Sequence, residues 1–454
     1  MSSYDYTFAC EGVPGIPDAW GTLRVVRFRG SEAISAPYRY DLVLLDTTGM
    51  QSVANLIGKR ATLRIATQSI PVFKTVHGIV VEAQEVAGLN EGRTIHLTLA
   101  PPWTRARHRQ RCRIFLEKSL RQIVETVLQS DKLMQKANGR ELAPDLGGFD
   151  FNPAQEQFAW RIADMQRLDD ARVHPYVVQY NESDFDFVSR LLEGEGIAYH
   201  FEHGADAVLL VLADADAGRP RLTPQIVGAG VDGREIRGFF LVARLRPSSV
   251  TLGDYNWKQP DVDMTASAGS SGTDLFEQVY PGLYPDNSQQ GAPLANVLLG
   301  RHQTEARYAR GEGWLRVLSA GSIFELEHKS PRFEGEYLVT SLQVKGEQAG
   351  VLQTTAQGAL EPFNAHFECA RRGKGRAIAE SGFRPARKTR RPKIIGSQTA
   401  IVTAEPGAAG AEINVGGPAG TDIGCVRLKF HWDTDAARLA KESSSCWVRV
   451  NEPF

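Results

Sequence analysis

The sequence predicts a mainly β fold with α+β insertions, and three observations carry this prediction. Apolar and polar residues alternate in short segments bounded by glycine and proline, as in sandwiches and barrels. Amphipathic helical patterns interrupt these segments in the middle of the chain. After residue 393, a Gly- and Pro-rich stretch leads into two final alternating segments, a pattern typical of a small β-barrel.

The strand patterns are clearest in the first hundred residues. Turn-forming residues such as Gly30, Ser31 and Pro37 separate the alternating segments there. The predicted strand regions are 20–45, 60–67, 77–86 and 93–101, and the pattern returns at 321–328 and 335–346. Short strands at this spacing indicate a sandwich or a barrel.

Helices are predicted between these two groups of strands. Ser119, with a glutamine three residues later, forms a capping box that begins a helix over 119–130. Ser183 is the predicted N-cap of a second helix within 181–196, which ends at glycines. A third helix is predicted over 294–313. The β framework is therefore expected to carry helical insertions.

A weak internal echo links the two groups of strands. In each group a glycine precedes a strand, a proline-containing turn follows, and a second glycine precedes a Val-containing strand. The paired positions are Gly58 and Gly321, Pro71 and Pro331, and Gly78 and Gly335. Chance and duplication can both produce such an echo. The residues alone leave open whether the chain contains two related barrels.

Length and composition bound the class of protein. A chain of 454 residues suggests about three domains of roughly 150 residues. Its 42% hydrophobic residues are ordinary for globular protein, and a net charge of -1 gives no overall attraction to nucleic acid or to an anionic membrane. No apolar run approaches the roughly 20 residues that cross a bilayer, so we expect no membrane anchor. The N-terminal segment lacks the pattern of a signal peptide, and we expect none.

The residues predict no catalytic, cofactor or metal site. Five scattered cysteines lack the paired spacing of a zinc or redox site. In the stretch HFEHGAD, His200 and His203 point to opposite faces of a predicted strand, which disfavours a shared metal. His431 and Asp433 share a strand face, but no recognisable nucleophile or second acid accompanies them. We therefore expect no enzymatic activity.

Arginine-rich segments are the main local charge feature. Residues 371–393 contain ten basic residues and one acidic residue, and five arginines occupy alternate positions over 105–113. One interpretation is a site for an anionic ligand or nucleic acid; the other is a linker along acidic surface of the protein's own assembly. The linker is favoured for 371–393 because no aromatic ladder accompanies its charges. The candidate subunit or partner contacts are Arg105, Arg107, Arg109, Arg111, Arg113, Arg387, Lys388, Arg390 and Arg391.

Two alternating segments stand near the end of the chain, GCVRLKFHWD at 424–433 and SCWVRV at 445–450. In the first, the apolar side chains share one face and Arg427, Lys429 and His431 share the other. We expect one apolar face to fill the core of a small barrel. The residues expected in that core are Val426, Leu428, Phe430, Trp432, Val448 and Val450.

Several longer phrases resemble the VgrG proteins, the spike proteins of bacterial type VI secretion systems. They include LRVVRFRGSEAISAPYRYDLVLL, HGIVVEAQEV, YNESDFDFVSRLLEGEGIAYHFEH and GEYLVTSLQV, followed by VRLKFHWD and SSCWVRV. These phrases occur in the order seen in that family, from about residue 6 to the last residues. The third phrase and the final pair are the most specific.

The resemblance implies a homotrimeric hub and spike similar to those of contractile phage baseplates. It implies two related hub-type β-barrels with helical insertions over 1–370, a basic linker over 371–393, and an OB-fold barrel over 394–454. VgrG proteins continue into a β-helix needle. The end at Phe454 is therefore expected to leave the OB barrel incomplete and the needle missing.

The function implied by the resemblance is structural. Such a hub sits at the end of the Hcp tube and is propelled by sheath contraction to deliver effectors into target cells. The implied partners are two further copies of the chain, the Hcp tube hexamer, baseplate proteins, and effectors or their adaptors. A PAAR tip protein is expected only with the needle, and nucleic acid is not expected. The implied location is the bacterial cytoplasm before firing and the medium or target cell afterwards.

Overall fold

The chain folds mainly into β-strands with a few helices between them, which confirms the predicted fold class. The structure is a computed structural model. It describes residues 5–13, 21–46, 48, 51–67, 72–86, 93–138, 142–147, 151–163, 165–228, 235–348, 351, 362–378, 380–403, 415–416, 424–433 and 446–451. Over these ranges no helix is both long and apolar enough to cross a bilayer.

The strands and helices are numbered in chain order. The strands are β1 Tyr6–Cys10, β2 Leu23–Ala33, β3 Ala36–Asp46, β4 Arg60–Ala66, β5 Phe73–Val86, β6 Arg93–Ala100, β7 Gln110–Leu116, β8 Met134–Lys136, β9 Gln155–Arg161, β10 Tyr176–Ser183, β11 Ala198–His203, β12 Ala207–Ala213, β13 Arg221–Gly228, β14 Ile236–Ala243, β15 Ser249–Leu252, β16 Ala266–Gly269, β17 Phe276–Val279, β18 Arg307–Gly313, β19 Ile323–Glu327, β20 Gly335–Glu347, β21 Phe363–Gly373, β22 Ala400–Thr403, β23 Val415–Gly416, β24 Cys425–Phe430 and β25 Cys446–Arg449. The α-helices are α1 Val53–Leu56, α2 Leu120–Gln129, α3 Gln166–Asp169, α4 Asp184–Glu195 and α5 Ser288–Ala306, and the 3-10 helices are η1 Pro102–His108, η2 Asp216–Gly218 and η3 Gly375–Ala377.

In the described part of the chain, twelve strands form one sheet that divides into two repeats of six. The first repeat consists of β1 to β6, side by side in the order β1-β4-β5-β6-β3-β2. The second repeat consists of β13, β14 and β18 to β21, in the order β13-β19-β20-β21-β18-β14. The two orders are the same, although β1 pairs antiparallel with β4 and β13 pairs parallel with β19. A shared order over six strands favours duplication over chance as the origin of the echo.

The two repeats also share β-bulges at equivalent positions. In the pairing with the next strand, β5 changes register between Val80 and Glu82, and β20 does so between Val339 and Ser341. A bulge adds one residue to a strand, so it marks one position along that strand. Glu82 is therefore the counterpart of Ser341.

A second matched bulge lies in β2 and β14. β2 changes register against β3 between Val25 and Arg27, and β14 changes register against β18 between Ile236 and Gly238. Arg27 is therefore the counterpart of Gly238. Together the two bulge pairs align the repeats residue by residue.

The glycines of the echo are equivalent in one case and not in the other. Gly58 and Gly321 both have positive φ, 76° and 93°, and each donates its N–H to the bulge strand, to the carbonyls of Val80 and Val339, at 2.8 Å. The second pair is out of step, because Gly78 precedes its bulge by two residues and Gly335 precedes its own by four. Pro71 lies outside the described residues.

One strand pairing joins the two repeats into a single sheet. β2 runs antiparallel to β20, from Arg27 opposite Glu347 to Ala33 opposite Ser341. We call this pairing the seam. Behind it, one hydrophobic core contains large buried side chains of both repeats, including Phe28 and Phe324. The seam and this shared core make the repeats one body.

The segment between the repeats contains the two helices with predicted caps. Ser119 accepts a hydrogen bond from the Gln122 N–H at 3.2 Å, and the Gln122 side chain accepts from the Ser119 N–H. α4 begins after the N-cap Ser183 and ends at Gly196, which has a φ of 73°. Both predicted helix starts are confirmed. The apolar stripes of both helices are buried in the shared core.

The helix predicted over 294–313 is wrong at its C-terminal end. α5 begins after the N-cap Asn287, contains Pro293 and ends at Ala306. The next residues form β18, which is paired on both sides, with β14 and with β21. Because the chain passes there between two strands of the main sheet, non-local pairing overrides the helical pattern. Together with β15, β16 and β17, α5 encloses a smaller core around Leu252 and Leu298.

The equivalent glycines provide a matched stability test. An alanine at Gly58 keeps a strained positive φ, but its Cβ meets nothing within 4 Å. An alanine at Gly321 has the same backbone strain, and its Cβ lies 2.7 Å from the buried ring of His200. We expect Gly58→Ala to lower the free energy of unfolding by about 1 kcal/mol and Gly321→Ala by about 2–4 kcal/mol, measured by chemical denaturation. Equal losses in the two variants would show that contact with the His200 ring adds nothing to the cost of the alanine at position 321.

Candidate interaction surfaces

The alternate arginines of 105–113 converge on buried carboxylates of their own chain. Two of the arginines lie in η1, one follows it, and two lie in β7, so the five arginines do not lie along one strand. Arg109 donates to Asp131 at 2.7 Å and to Asp184 at 3.0 Å. Arg105 donates to Asp131 at 3.1 Å and also pairs with Glu156. These contacts tie the end of α2, β9 and the start of α4 together.

Asp184 is the most buried member of this arginine cluster. Its side chain is 0% exposed and is also paired with Arg113 at 3.0 Å and Arg111 at 3.4 Å. Arg107 is exposed, and its guanidinium lies 4.5 Å from the centre of the Phe185 ring. Loss of these guanidinium partners would leave a buried charge without compensation. The cluster is therefore expected to be costly to break.

The electrostatics of the cluster favour its ionised form. Burial alone would raise the pKa of Asp131, but hydrogen bonds from Arg109 and Arg105 outweigh burial and lower the pKa below its usual value. Four of the five arginines, all but Arg107, have carboxylate partners within the chain. This does not support the anionic-ligand alternative. Their role as subunit contacts stays a prediction; of the five, Arg107 is exposed and the others are partly buried.

The basic linker, residues 371–393, lies along acidic groups of its own chain. The predicted start is three residues too early, because 371–373 are the end of β21, where Arg372 donates to Asp216 at 2.7 Å. Asp216 also accepts hydrogen bonds from the Ser381 N–H and hydroxyl. Further on, Glu193 accepts from the N–H groups of Lys388 and Thr389, both at 3.0 Å. The interpretation of this segment as a linker between two domains stays a prediction.

The four basic candidates of the linker differ in exposure. Arg387 is partly buried and donates to the carbonyl of Gly194 at 3.1 Å. Burial lowers the pKa of Arg387 below its ordinary value. Lys388, Arg390 and Arg391 are exposed. These three remain candidates for contact with another molecule.

A buried arginine lies beneath the linker. The Arg219 side chain is 1% exposed and its guanidinium lies 5.7 Å from the centre of the Phe383 ring. Burial lowers the pKa of Arg219 to about 10, although the nearby Asp216 opposes this shift. Phe383 thus lies over a buried charged group of the same chain.

The two C-terminal segments pair as strands, with β24 between β22 and β25. Of the expected core residues, Val426, Leu428, Phe430, Trp432 and Val448 are partly exposed, and Val450 is 42% exposed. The segments 404–414, 417–423 and 434–445 lie outside the described residues. The barrel core therefore stays a prediction.

Trp432 provides a contact between this C-terminal sheet and Tyr180 of β10. Its ring stacks on Phe430, with centroids 5.0 Å apart, and meets the edge of the Tyr180 ring at 5.4 Å. Its indole N–H donates to Gln398 at 2.8 Å, and Gln398 donates to the Tyr180 hydroxyl at 2.9 Å. β10 thus contacts the C-terminal sheet through Tyr180.

The histidine and acid pairs noted in the sequence do not form a site. His200 is buried and lies 3.0 Å from Glu202, which also accepts from Arg161. Burial lowers the pKa of His200, against the effect of Glu202. His431 is exposed, whereas Asp433 is buried. Over the described ranges, no group of three or more His, Cys, Asp or Glu residues could hold a metal ion.

The solvent side of the main sheet is polar and continuous across both repeats. It is formed by β5, β6, β3 and β2 and by their counterparts β20, β21, β18 and β14, and we call it the open face. His96, opposite Gln84, matches His366, opposite Gln343. Charges of both signs pair on it, as in the contact of Arg310 with Glu368 at 3.0 Å. A mixed charge of this kind gives no single-sign field that would attract nucleic acid.

Comparisons with known proteins agree with this architecture. Residues 31–350 match the family described as the phage tail baseplate hub (GPD). The type VI secretion system spike proteins VgrG4b and VgrG5 of Pseudomonas aeruginosa are 29% and 30% identical, over 94% of this chain and 50% of each relative. The actin cross-linking toxin VgrG1 of Vibrio cholerae is 27% identical over 100% of this chain and 38% of its own length. The chain spans about half the length of the Pseudomonas relatives.

Solved structures show the same fold at low identity. The E. coli c3393 protein, a component of the type VI secretion system, has a TM-score of 0.63 at 16% identity, over 98% of this chain and 93% of that one. A tail protein of Neisseria meningitidis has a TM-score of 0.51 at 11% identity, over 81% of this chain and 96% of that one. The Francisella PdpA-VgrG complex, lidless, gives 0.54 at 9% identity, over 99% and 81%.

The arginine cluster yields a stability prediction with an internal control. Asp184→Asn removes a fully buried charge from Arg109, Arg111 and Arg113, and we expect it to lower the free energy of unfolding by about 3 kcal/mol. Asp169→Asn removes an ion pair with Arg121 in which both side chains are 39% exposed, and we expect a loss of about 0.5 kcal/mol or less. Chemical denaturation of both variants measures the difference. A loss below 1 kcal/mol in Asp184→Asn would show that the cluster does not hold the insertion.

The docking of the basic linker can be tested by limited proteolysis. Glu193→Ala removes the acceptor of the Lys388 and Thr389 N–H groups, so we expect trypsin to cleave after Arg387 or Lys388 roughly five- to tenfold faster. Glu334→Ala is the control, because it removes the carboxylate partner of Lys374, whose side chain is 56% exposed, and leaves the Glu193 contacts in place. Unchanged cleavage in Glu193→Ala would mean that other contacts hold the linker.

Proposed function

The chain belongs to the phage tail baseplate hub family, and we propose that it forms the homotrimeric hub of a type VI secretion spike. Two relatives named as type VI spike proteins match over 94% of this chain, which supports the proposal. The duplicated strand order is the structural observation that carries it. The proposal concerns the hub, because the chain spans about half of those relatives.

The duplication suits a particular symmetry. Each chain supplies two equivalent six-stranded repeats, so a ring of three chains contains six. A six-repeat ring matches a hexameric tube, since each tube subunit then meets an equivalent repeat. We infer that the Hcp hexamer docks on this ring and that the three-fold spike continues from its other end. Baseplate proteins would contact the outer surface.

The proposed mechanism is mechanical rather than chemical. Sheath contraction would drive the hub outward as part of the tube, so the hub must hold together under load. The hydrogen-bonded seam would carry force along the sheet, and the arginine cluster would hold the segment between the repeats together. Such a role requires no catalytic residue. Any effector or adaptor would be carried by binding, and enzymatic activity would reside in other polypeptides or domains.

The domain division fits this role. We propose a hub over 1–370, a basic linker over 371–393 and an OB-type barrel over 394–454. The contacts of Ser381 with Asp216 and of Lys388 with Glu193, and the Trp432 contact to Tyr180, would hold the barrel on the hub. A needle would extend from that barrel, and a PAAR tip protein would bind only to the needle. The protein would act in the cytoplasm before firing and outside the producing cell afterwards.

The proposal predicts a trimer that binds an Hcp tube. We expect light scattering at micromolar concentration to give a mass of about three chains, since the family's hub is a closed assembly. We also expect the trimer to co-sediment with assembled Hcp hexamers and not with free bovine serum albumin. A strictly monomeric chain, or a trimer that does not bind the tube, would overturn the proposed function.

A further inference from the structure

Each repeat has a groove on the open face, and the two grooves lie at equivalent positions. The first groove lies over β2, β3, β5 and β6, has a volume of about 410 Å³ and contains Gln84 and His96. The second groove lies over β14, β18, β20 and β21, has a volume of about 550 Å³ and contains the counterparts Gln343 and His366. The second repeat thus provides another version of the same groove for comparison.

The two grooves differ in charge. Three arginines and two carboxylates line the first groove, whereas one arginine and two carboxylates line the second. The difference comes from β2, where Arg27 and Arg29 line the first groove. Counted from the matched bulges, their counterparts on β14 are Gly238 and Phe240. An excess of positive charge is therefore found in the first groove and not in the second.

The third arginine of the first groove, Arg39, already pairs with both of its carboxylates. Its guanidinium lies 2.9 Å from Asp41 and 3.6 Å from Glu82. Arg27 and Arg29 are exposed, and neither side chain forms a hydrogen bond or ion pair with any residue that the structure describes. These two guanidinium groups are thus available to a ligand.

The seam places a further positive charge beside Arg29. Lys345 of β20 lies directly opposite Arg29, and both residues are exposed. Like charges directly opposite across antiparallel strands are unfavourable, and an anion bound beside them would offset the repulsion. Glu347 lies opposite Arg27 in the same pairing, but the two described side chains do not form an ion pair.

We propose that the first groove binds an extended acidic segment of a partner protein, whose carboxylates at alternate positions pair with Arg27 and Arg29. Residues two apart on a strand lie about 7 Å apart along it, and alternate side chains of an extended peptide have the same spacing. Each guanidinium can donate two parallel hydrogen bonds to one carboxylate. The exposed Gln84 amide can both donate to and accept from the backbone of the same segment.

Nucleic acid fits the first groove less well than an acidic peptide. The phenyl ring that lines the groove, that of Phe28, is 2% exposed and offers no surface on which a base could stack. Beyond the seam, the second groove has an excess of negative charge and would repel a long polyanion. A short acidic segment would meet the first groove alone. The groove is complete within one chain, so binding there does not require the proposed trimer.

Fluorescence anisotropy with labelled peptides tests the spacing of the two arginines on the full chain. One probe has three glutamates at alternate positions among serines, and the other has three glutamates at every third position. Only the first probe places successive carboxylates on one side of an extended chain. We therefore expect it to bind roughly fivefold more tightly or better at low salt.

A pair of variants tests the site. Arg27→Gln with Arg29→Gln removes both guanidinium groups, and we expect it to weaken binding of the alternating probe at least about tenfold. The matched control is Arg310→Gln, which removes the arginine of the second groove and is expected to change the affinity less than about twofold. Circular dichroism and thermal unfolding should be unchanged in the double variant, because neither arginine has a side-chain partner among the described residues.

Three outcomes would overturn the acidic-segment groove. They are equal binding of the two probes, an unchanged affinity in the double variant, and tighter binding of a single-stranded oligothymidylate that the double variant loses. The last outcome would assign the groove to nucleic acid. A chain that trimerises and binds Hcp tubes but does not bind the alternating probe would lose the groove and keep the hub function. A monomeric chain that binds the probe would do the reverse.

Discussion

The pairing of β2 with β20 is the contact on which the rest of the architecture depends. Without it the chain would contain two separate six-stranded units. With it, the two units share one sheet, one open face and one continuous core. Backbone hydrogen bonding makes the joint independent of side-chain identity, while the bulges set its register. Two repeats with different sequences can therefore meet in the same geometry.

Charge plays a second, local role, in fixing the segment between the repeats. The arginines between 105 and 113 reach carboxylates just after α2, on β9 and on α4, and the Asp184 side chain is 0% exposed. Isolated surface pairs contribute little to stability, but a buried carboxylate that loses its partners is costly. The net charge of the chain is near zero, yet many of its charges are concentrated in this internal network of arginines and carboxylates. Composition alone could not reveal it.

The sequence predicts features that depend on residues close together in the chain, and it does not predict those that depend on distant partners. The caps at Ser119 and Ser183 depend on residues three apart, and both were confirmed. The echo of Gly58 and Gly321 left duplication open, and the structure gives its physical basis, because a positive φ at that position favours glycine. The end of α5 was missed, since β18 is defined by partners far along the chain. The carboxylate partners of the arginines were missed for the same reason, because folding and not spacing brings them together.

The two repeats differ most where β14 leads to β18. In the first repeat a tight turn joins β2 to β3, whereas the second has a three-stranded sheet and α5 at that point. The Arg244 N–H donates to the Ala306 carbonyl at 2.8 Å, so the insertion leaves and re-enters the sheet at neighbouring positions. Closing a loop whose ends already meet costs little more as the loop grows. This corner can therefore change in size and surface during evolution while the strand framework stays constant, which gives the family a place to acquire new outer contacts.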